Sequence, residues 1–129
     1  MINSDIYNYV DVLDKAADAA WVRNEAISNN IANVNTPGYK RQDVSFEEEL
    51  KHALKANKFV PLDQKVDNLD LDRIEPRVYT DSANFSYRLD GNNVDIDSEN
   101  VELASNQIKY NAMVQSIDGT FTNLRTVMQ

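Results

Sequence analysis

Cysteine is absent from the 129 residues, and glycine and proline occur only three times each. Without cysteine there is no disulfide framework, thiolate nucleophile or thiolate metal site. That fits a destination outside the reducing cytoplasm without requiring one. Histidine occurs once, as His52, among charged residues where a solvated side chain is the simplest reading. With one imidazole, no thiol and no nucleophile-elbow motif, the chain offers no machinery for acid–base or nucleophilic catalysis. Gly38, Gly91 and Gly119 are isolated from one another, so they cannot build a phosphate-cradling loop, which needs several in one turn. Positive charge is also short. Thirteen Lys and Arg face 21 Asp and Glu, a formal charge of −8, so no basic face is expected for nucleic acid or anionic lipid. Long apolar runs are missing too, and the N-terminus Met1-Ile2-Asn3-Ser4-Asp5 has no basic start. Neither a signal peptide nor a membrane-spanning helix is expected, and passage out of the cytoplasm would cleave no signal. An enzyme, a nucleic-acid binder and a cofactor or small-molecule protein are therefore all disfavoured.

What is present is helical periodicity at both ends. Ile6, Val10, Leu13, Ala17, Ala20, Asn24, Ile27, Ile31 and Val34 follow alternating four-three spacing, interrupted in character only by Asn24. Leu103, Gln107, Tyr110, Val114, Ile117, Phe121, Leu124 and Met128 repeat it. Such spacing predicts two seam-bearing helices, over about 6–34 and 98–128, of similar length and able to pair in a coiled-coil manner. Asn3, Ser4 or Asp5 can cap the first, and Asp97 or Ser98 the second. Asparagine is a poor helix former and a buried one needs partners, so Asn24 and Asn33 are expected either to face solvent or to bond across helices and fix register. Asp95, Asp97 and Glu99 have the alternation of a calcium loop's first half. The turn glycine and the closing glutamate of such a loop are missing, so an acidic helix start is the better reading.

Between the ends the pattern changes. Ser45-Phe46-Glu47-Glu48 has the form of a capping box and predicts a short helix from about Phe46 to Ala56. Phe46 and Leu50 lie one turn apart on it, as core residues or as a docking pair. Residues 57–83, with two of the prolines and many aspartates, read as an irregular connector. Phe85, Tyr87 and Leu89 alternate, as do Val94 and Ile96, around Asp90-Gly91-Asn92-Asn93, which predicts a small β-hairpin. The expected fold is mainly α. Its terminal segments 1–40 and 94–129 form a rod-like domain, and 41–93 form an insert with a short helix and a hairpin.

The most informative stretch is Asn30-Ile31-Ala32-Asn33-Val34-Asn35-Thr36-Pro37-Gly38-Tyr39-Lys40. Pro37 stops the first helix and pushes Thr36 toward extended geometry, while Gly38 can take the positive φ of a type II turn. This is a joint rather than a catalytic site. The stretch resembles the N-terminal signature of bacterial flagellar rod and hook proteins, most closely at Asn30, Ala32, Asn33, Asn35, Thr36, Pro37, Gly38 and Tyr39. Asp90–Asp97, Val101-Glu102-Leu103-Ala104 and Asn106–Asn111 add a similarity to proximal-rod members of that family. The resemblance covers roughly 1–50 and 85–129. It implies a structural, non-enzymatic subunit of the basal-body rod, in the periplasmic or cell-wall space, exported by the flagellar type III apparatus. Implied partners are further copies of the chain, the next rod subunit (FlgC), the rod-base adaptor (FliE) and the export gate, for which Phe46 and Leu50 resemble a docking segment. The competing class is a cytosolic export chaperone or helical adaptor, also small and acidic, for which the Pro-Gly joint has no evident use.

Overall fold

The computed structural model describes residues 5–55, 59–82 and 88–129, with the side chains of Asp5 and Ile6 left aside. Its elements in chain order are α1 (Asp5–Ala32), β1 (Gln42–Ser45), α2 (Glu47–Lys55), α3 (Leu62–Asp67), β2 (Arg77–Thr80) and α4 (Ile96–Val127). The two terminal helices have 28 and 32 residues, roughly 42 and 48 Å at about 1.5 Å per residue. They run antiparallel: Asn30 meets Glu99 near one end, and Trp21 meets Tyr110 further along, with ring centroids 6.3 Å apart.

Helix α1 is buried on two sides because it carries two stripes. Ala17, Ala20 and Ile27 are buried along the expected seam, with Val10, Leu13, Ile31 and Val34 half-buried. Ala19, Ala26 and Asn30 form a second stripe, against which the insert packs Val44, Phe46 and Ile74, with Leu50 at its edge. The small alanines let backbone and side chains approach closely on both sides. Helix α4 presents a rotated face. Glu99 and Asn106 are buried, and Leu103, Tyr110, Met113, Ile117, Thr120 and Leu124 are half-buried. Leu103, Tyr110, Ile117 and Leu124 belong to the expected seam, whereas Val114, Phe121 and Met128 are exposed in the single chain.

The small sheet exists, but its strands are not those of the expected hairpin. Strand β1 pairs antiparallel with β2, Val44 opposite Val78 and Gln42 opposite Thr80. Leu89 sits exposed in a turn, Val94 is buried in an extended stretch and Ile96 opens α4; Phe85 and Tyr87 lie outside the described residues. The physical reason is support: two strands alone are marginal, and β1 lies against α1 with Val44 in the core. The stretch read as irregular contains α3 and β2, and Val66 and Ile74 anchor it in the interior.

Two caps differ from expectation. Asp95, not Asp97 or Ser98, is the N-cap of α4, its carboxylate accepting from the Asp97 and Ser98 backbone N–H groups at 3.0 and 3.5 Å. Helix α2 begins at Glu47, one residue later than the capping box places it, and the Ser45 hydroxyl donates to Glu49 Oε1 at 3.3 Å. Among the described residues no helix is long and apolar enough to cross a membrane.

Candidate functional site

The joint is built where α1 ends. Thr36-Pro37-Gly38-Tyr39 closes a turn with the Tyr39 N–H donating to the Thr36 carbonyl at 3.2 Å, and Gly38 has φ +70°. An L side chain there would be strained by the backbone alone, since nothing crowds the place a Cβ would occupy. Helix α1 has no basic residue in its last turn, although its carbonyls carry the negative end of the helix dipole. The chain supplies donors from about sixty residues away. The Asn92 side-chain amide donates toward the carbonyls of Asn33, Val34 and Thr36 at 2.9–3.0 Å, and Arg88 donates to Val34 O at 2.6 Å. Asn92 Oδ1 accepts from its neighbour Val94 N, so one buried amide holds both strands of the joint. Gly38 N–H donates to Asp90 O at 2.8 Å, and Lys40 Nζ to Gly91 O at 2.6 Å. Gly91, at φ +77°, lies against Gly38.

One turn back, Asn30 is wholly buried and uses its full hydrogen-bonding capacity. Its Nδ2 donates to Gln42 O at 2.8 Å and Glu99 Oε2 at 3.0 Å; its Oδ1 accepts from Gln42 N at 2.8 Å and the Tyr39 hydroxyl at 3.2 Å. The side chain thus takes the place of a neighbouring strand beside Gln42. Glu99, 1% exposed, also accepts from Arg41 Nε, and Arg41 reaches Asp43 at 3.1 Å. Burial works against the Arg41 charge, but the hydrogen bond and field of Glu99, followed by Asp43, outweigh it and raise the guanidinium above its usual value. Burial, reinforced by Glu99, raises the Tyr39 phenol, which keeps it a donor to Asn30. This hydrogen-bonded arrangement ties the end of α1 to the start of α4. It fixes the angle and register between the two terminal helices.

Of the family-motif residues, Asn30, Thr36, Gly38 and Tyr39 take part directly, and Asn33 contributes its carbonyl. Asn33 does not bond across helices with its side chain, which donates to Asn29 O one turn back and accepts from Thr36. Crossing bonds are instead made by Asn30 and by Asn106, whose Nδ2 donates to Ala20 O at 2.7 Å. Asn24 is the reverse case: among the described residues its Oδ1 is a buried side-chain acceptor with no partner. Asn35 and Pro37 are exposed at the turn.

Sequence reasoning did not identify the Arg41–Glu99 pair or the buried roles of Asn92 and Asn106. Only Asn92 and Glu99 carried any signal, as a turn residue and a helix-start residue, and it gave no hint of what they face. Phe46 is 4% exposed in the core and Leu50 packs against it. Among the described residues no cluster of His, Asp and Glu is arranged to hold a metal ion.

Two of the stretches that carry the resemblance, 30–40 and 90–97, are therefore joined by hydrogen bonds in the folded chain. Comparison with known proteins points the same way. Residues 12–40 match a family model described as flagella basal body rod protein. A flagellar basal body rod protein FlgB of Bacillus subtilis is 40% identical over 117 residues, spanning 90% of this chain and 89% of that relative. FlgB of Borreliella burgdorferi is 32% identical across 98% of this chain and 99% of its own length. FlgB of Escherichia coli K12 is 30% identical across 83% of each. With near-full-length similarity at this level, the chain belongs to the FlgB family of flagellar basal body rod proteins.

Proposed function

We propose that this chain is a structural subunit of the proximal part of the flagellar rod, which assembles through its terminal helices and performs no chemistry. The observation that carries the reading is the contrast along the α1–α4 pair. The joint is closed within the chain, whereas Trp21, Val114 and Phe121 remain exposed and the Asn24 acceptor has no partner within the described chain. Apolar surface at regular helical spacing suits packing against neighbours.

In this reading 1–40 and 94–129 form the axial domain, and 41–93 form an insert that braces α1 from the side. The seam runs through Ile6, Val10, Leu13, Ala17, Ala20, Asn24, Ile27, Ile31 and Val34, and through Leu103, Tyr110, Val114, Ile117, Phe121, Leu124 and Met128. Neighbours are copies of the chain, FlgC and FliE. The site of action is the rod in the periplasmic or cell-wall space, reached through the type III export gate without signal cleavage. Phe46 and Leu50 are core in the folded subunit, so a docking role for them belongs to the unfolded chain in transit. The alternative of a cytosolic chaperone finds no support among the relatives.

The test is fractionation. Purified basal bodies from cells carrying the gene should contain the chain, and a deletion strain should lose motility. Recovery of the chain only in the cytosol of flagellated cells would refute the reading. For the transit role, Phe46→Ala with Leu50→Ala should block export of a chain that still unfolds cooperatively in urea; loss of folding alone would leave only the core role.

A further inference from the structure

The α1–α4 pair has two unlike flanks. On one, Trp21 stands 63% exposed, with Tyr110 tilted against it and the exposed carboxylates Asp14 and Asp18 seven and three residues before it. On the other, a cleft of about 330 Å³ opens between α1, α4 and the insert, its walls mainly Ala16, Ala19, Phe46, Leu50, Ala112 and Met113. The small residues of α1 and α4 make it a hole rather than a ridge, near the lower end of ordinary ligand-pocket size, about 300–1,000 Å³, and open enough for one aromatic side chain. Lys109 stands half-exposed at its mouth, donating once to Glu47 at 3.0 Å, with Arg23 on the same carboxylate at 3.1 Å. The Ala20–Asn106 contact separates this cleft from the Trp21 side.

We infer that the occupant of the cleft is Trp21 of a second copy of this chain. The protruding indole fits an apolar hole on the opposite flank, and the carboxylates beside it face the cation at the rim. A single subunit cannot satisfy both halves, because the two helices lie between them. A knob on one side and a hole on the other make a heterologous contact, and such contacts propagate from copy to copy rather than ending at a dimer. This rests on the rod-subunit reading above and names the surfaces by which copies meet.

The absence of cysteine makes the test clean. A full-length chain carrying Glu25→Cys, one turn from Trp21, together with Ala112→Cys, in the wall of the cleft, is expressed in a deletion strain. Its basal bodies are then treated with a short bis-maleimide. The double variant should give a ladder of monomer, dimer and higher multiples, and each single variant should stay monomeric. Basal bodies that contain the chain but give no ladder, a cross-link to a different protein, or dimers from either single variant would overturn the contact and leave the rod reading intact. Absence of the chain from basal bodies would remove both.

A second variant guards against thiol effects on assembly. Trp21→Ala should lower incorporation at least about tenfold, as expected for a buried aromatic anchor, while the purified chain, losing only its Tyr110 contact, still unfolds cooperatively in urea and stays folded under assembly conditions. Trp21→Phe should retain most of it. Equal incorporation of the parent and both variants would likewise overturn the proposal.

Discussion

The joint at one end of the α1–α4 pair and the shaft beyond it are made of the same two helices yet solve opposite problems. In the joint, polar side chains are buried and matched: Asn30 makes four hydrogen bonds, and Asn92 gathers the carbonyls that end α1. In the shaft, apolar side chains are exposed, with Phe121 at 49% and Met128 at 72%, and among the described residues the Asn24 acceptor is unmatched. A buried polar network that is fully satisfied rigidifies one geometry. An exposed apolar stripe gains its free energy only when something covers it. In the proposed reading this is a division of labour, in which the subunit sets its own shape at the joint and leaves its shaft for neighbours.

That contrast predicts large stability losses in the joint. Asn30→Asp keeps the shape but removes both donors and places a carboxylate against Glu99, so urea unfolding should show a loss of about 3–5 kcal/mol. A midpoint within experimental error of the parent would mean the network is not buried as described. Asn92→Ala strips the donor from three carbonyls and should lose about 1–3 kcal/mol, with amide protection falling first in the last turn of α1. Gly38→Val should lose about 1–3 kcal/mol through the left-handed backbone, with the cost in backbone strain rather than crowding, since the site is open. Gly38→Asn should therefore recover part of it, Asn tolerating that region better.

The shaft should behave in the opposite way. Phe121→Asp is expected to change the stability of the isolated chain by no more than about 0.5 kcal/mol while abolishing incorporation into basal bodies. A stability loss comparable to that of the joint variants would erase the distinction.

The smallest expected effect concerns pH. The hydrogen bond from Lys109 and the field of Arg23 outweigh partial burial and hold Glu47 below its ordinary value of 4.5. A carboxylate depressed on folding adds stability above its unfolded value, and that stability is lost as pH falls through the lower folded value. The exposure of the pair limits this to a few tenths of a kcal/mol. Comparing Glu47→Gln with the parent between pH 7 and pH 3 should show a difference that closes on acidification, and a constant difference would assign the contact no electrostatic role.

Much of the fold was legible because it rests on local chemistry. The Pro37-Gly38 stop, the helical periodicity of both ends and the short helix near Glu47 each depend on residues within a few positions of one another. The joint was legible as a joint but not as a network, since Asn30 meets Glu99 sixty-nine residues away and Asn92 meets Asn33 fifty-nine away. Nothing local distinguishes such an asparagine from a turn former. The strands were misplaced for the same reason: alternation near 85–96 is a local signal, whereas β1 and β2 pair because α1 and the core lie beneath them.

By itself, then, the chain's order of residues determined where α1 must stop, that both ends are amphipathic helices, and the family to which those motifs belong. Only the tertiary structure decided which way α4 faces. Its inner stripe includes Glu99 and Asn106, residues that no apolar pattern would choose, while Val114 and Phe121 stay outside. The reason is that burying a polar group is tolerable only where a partner waits. Here the partners are Asn30, Arg41 and the Ala20 carbonyl, brought into place by the fold itself.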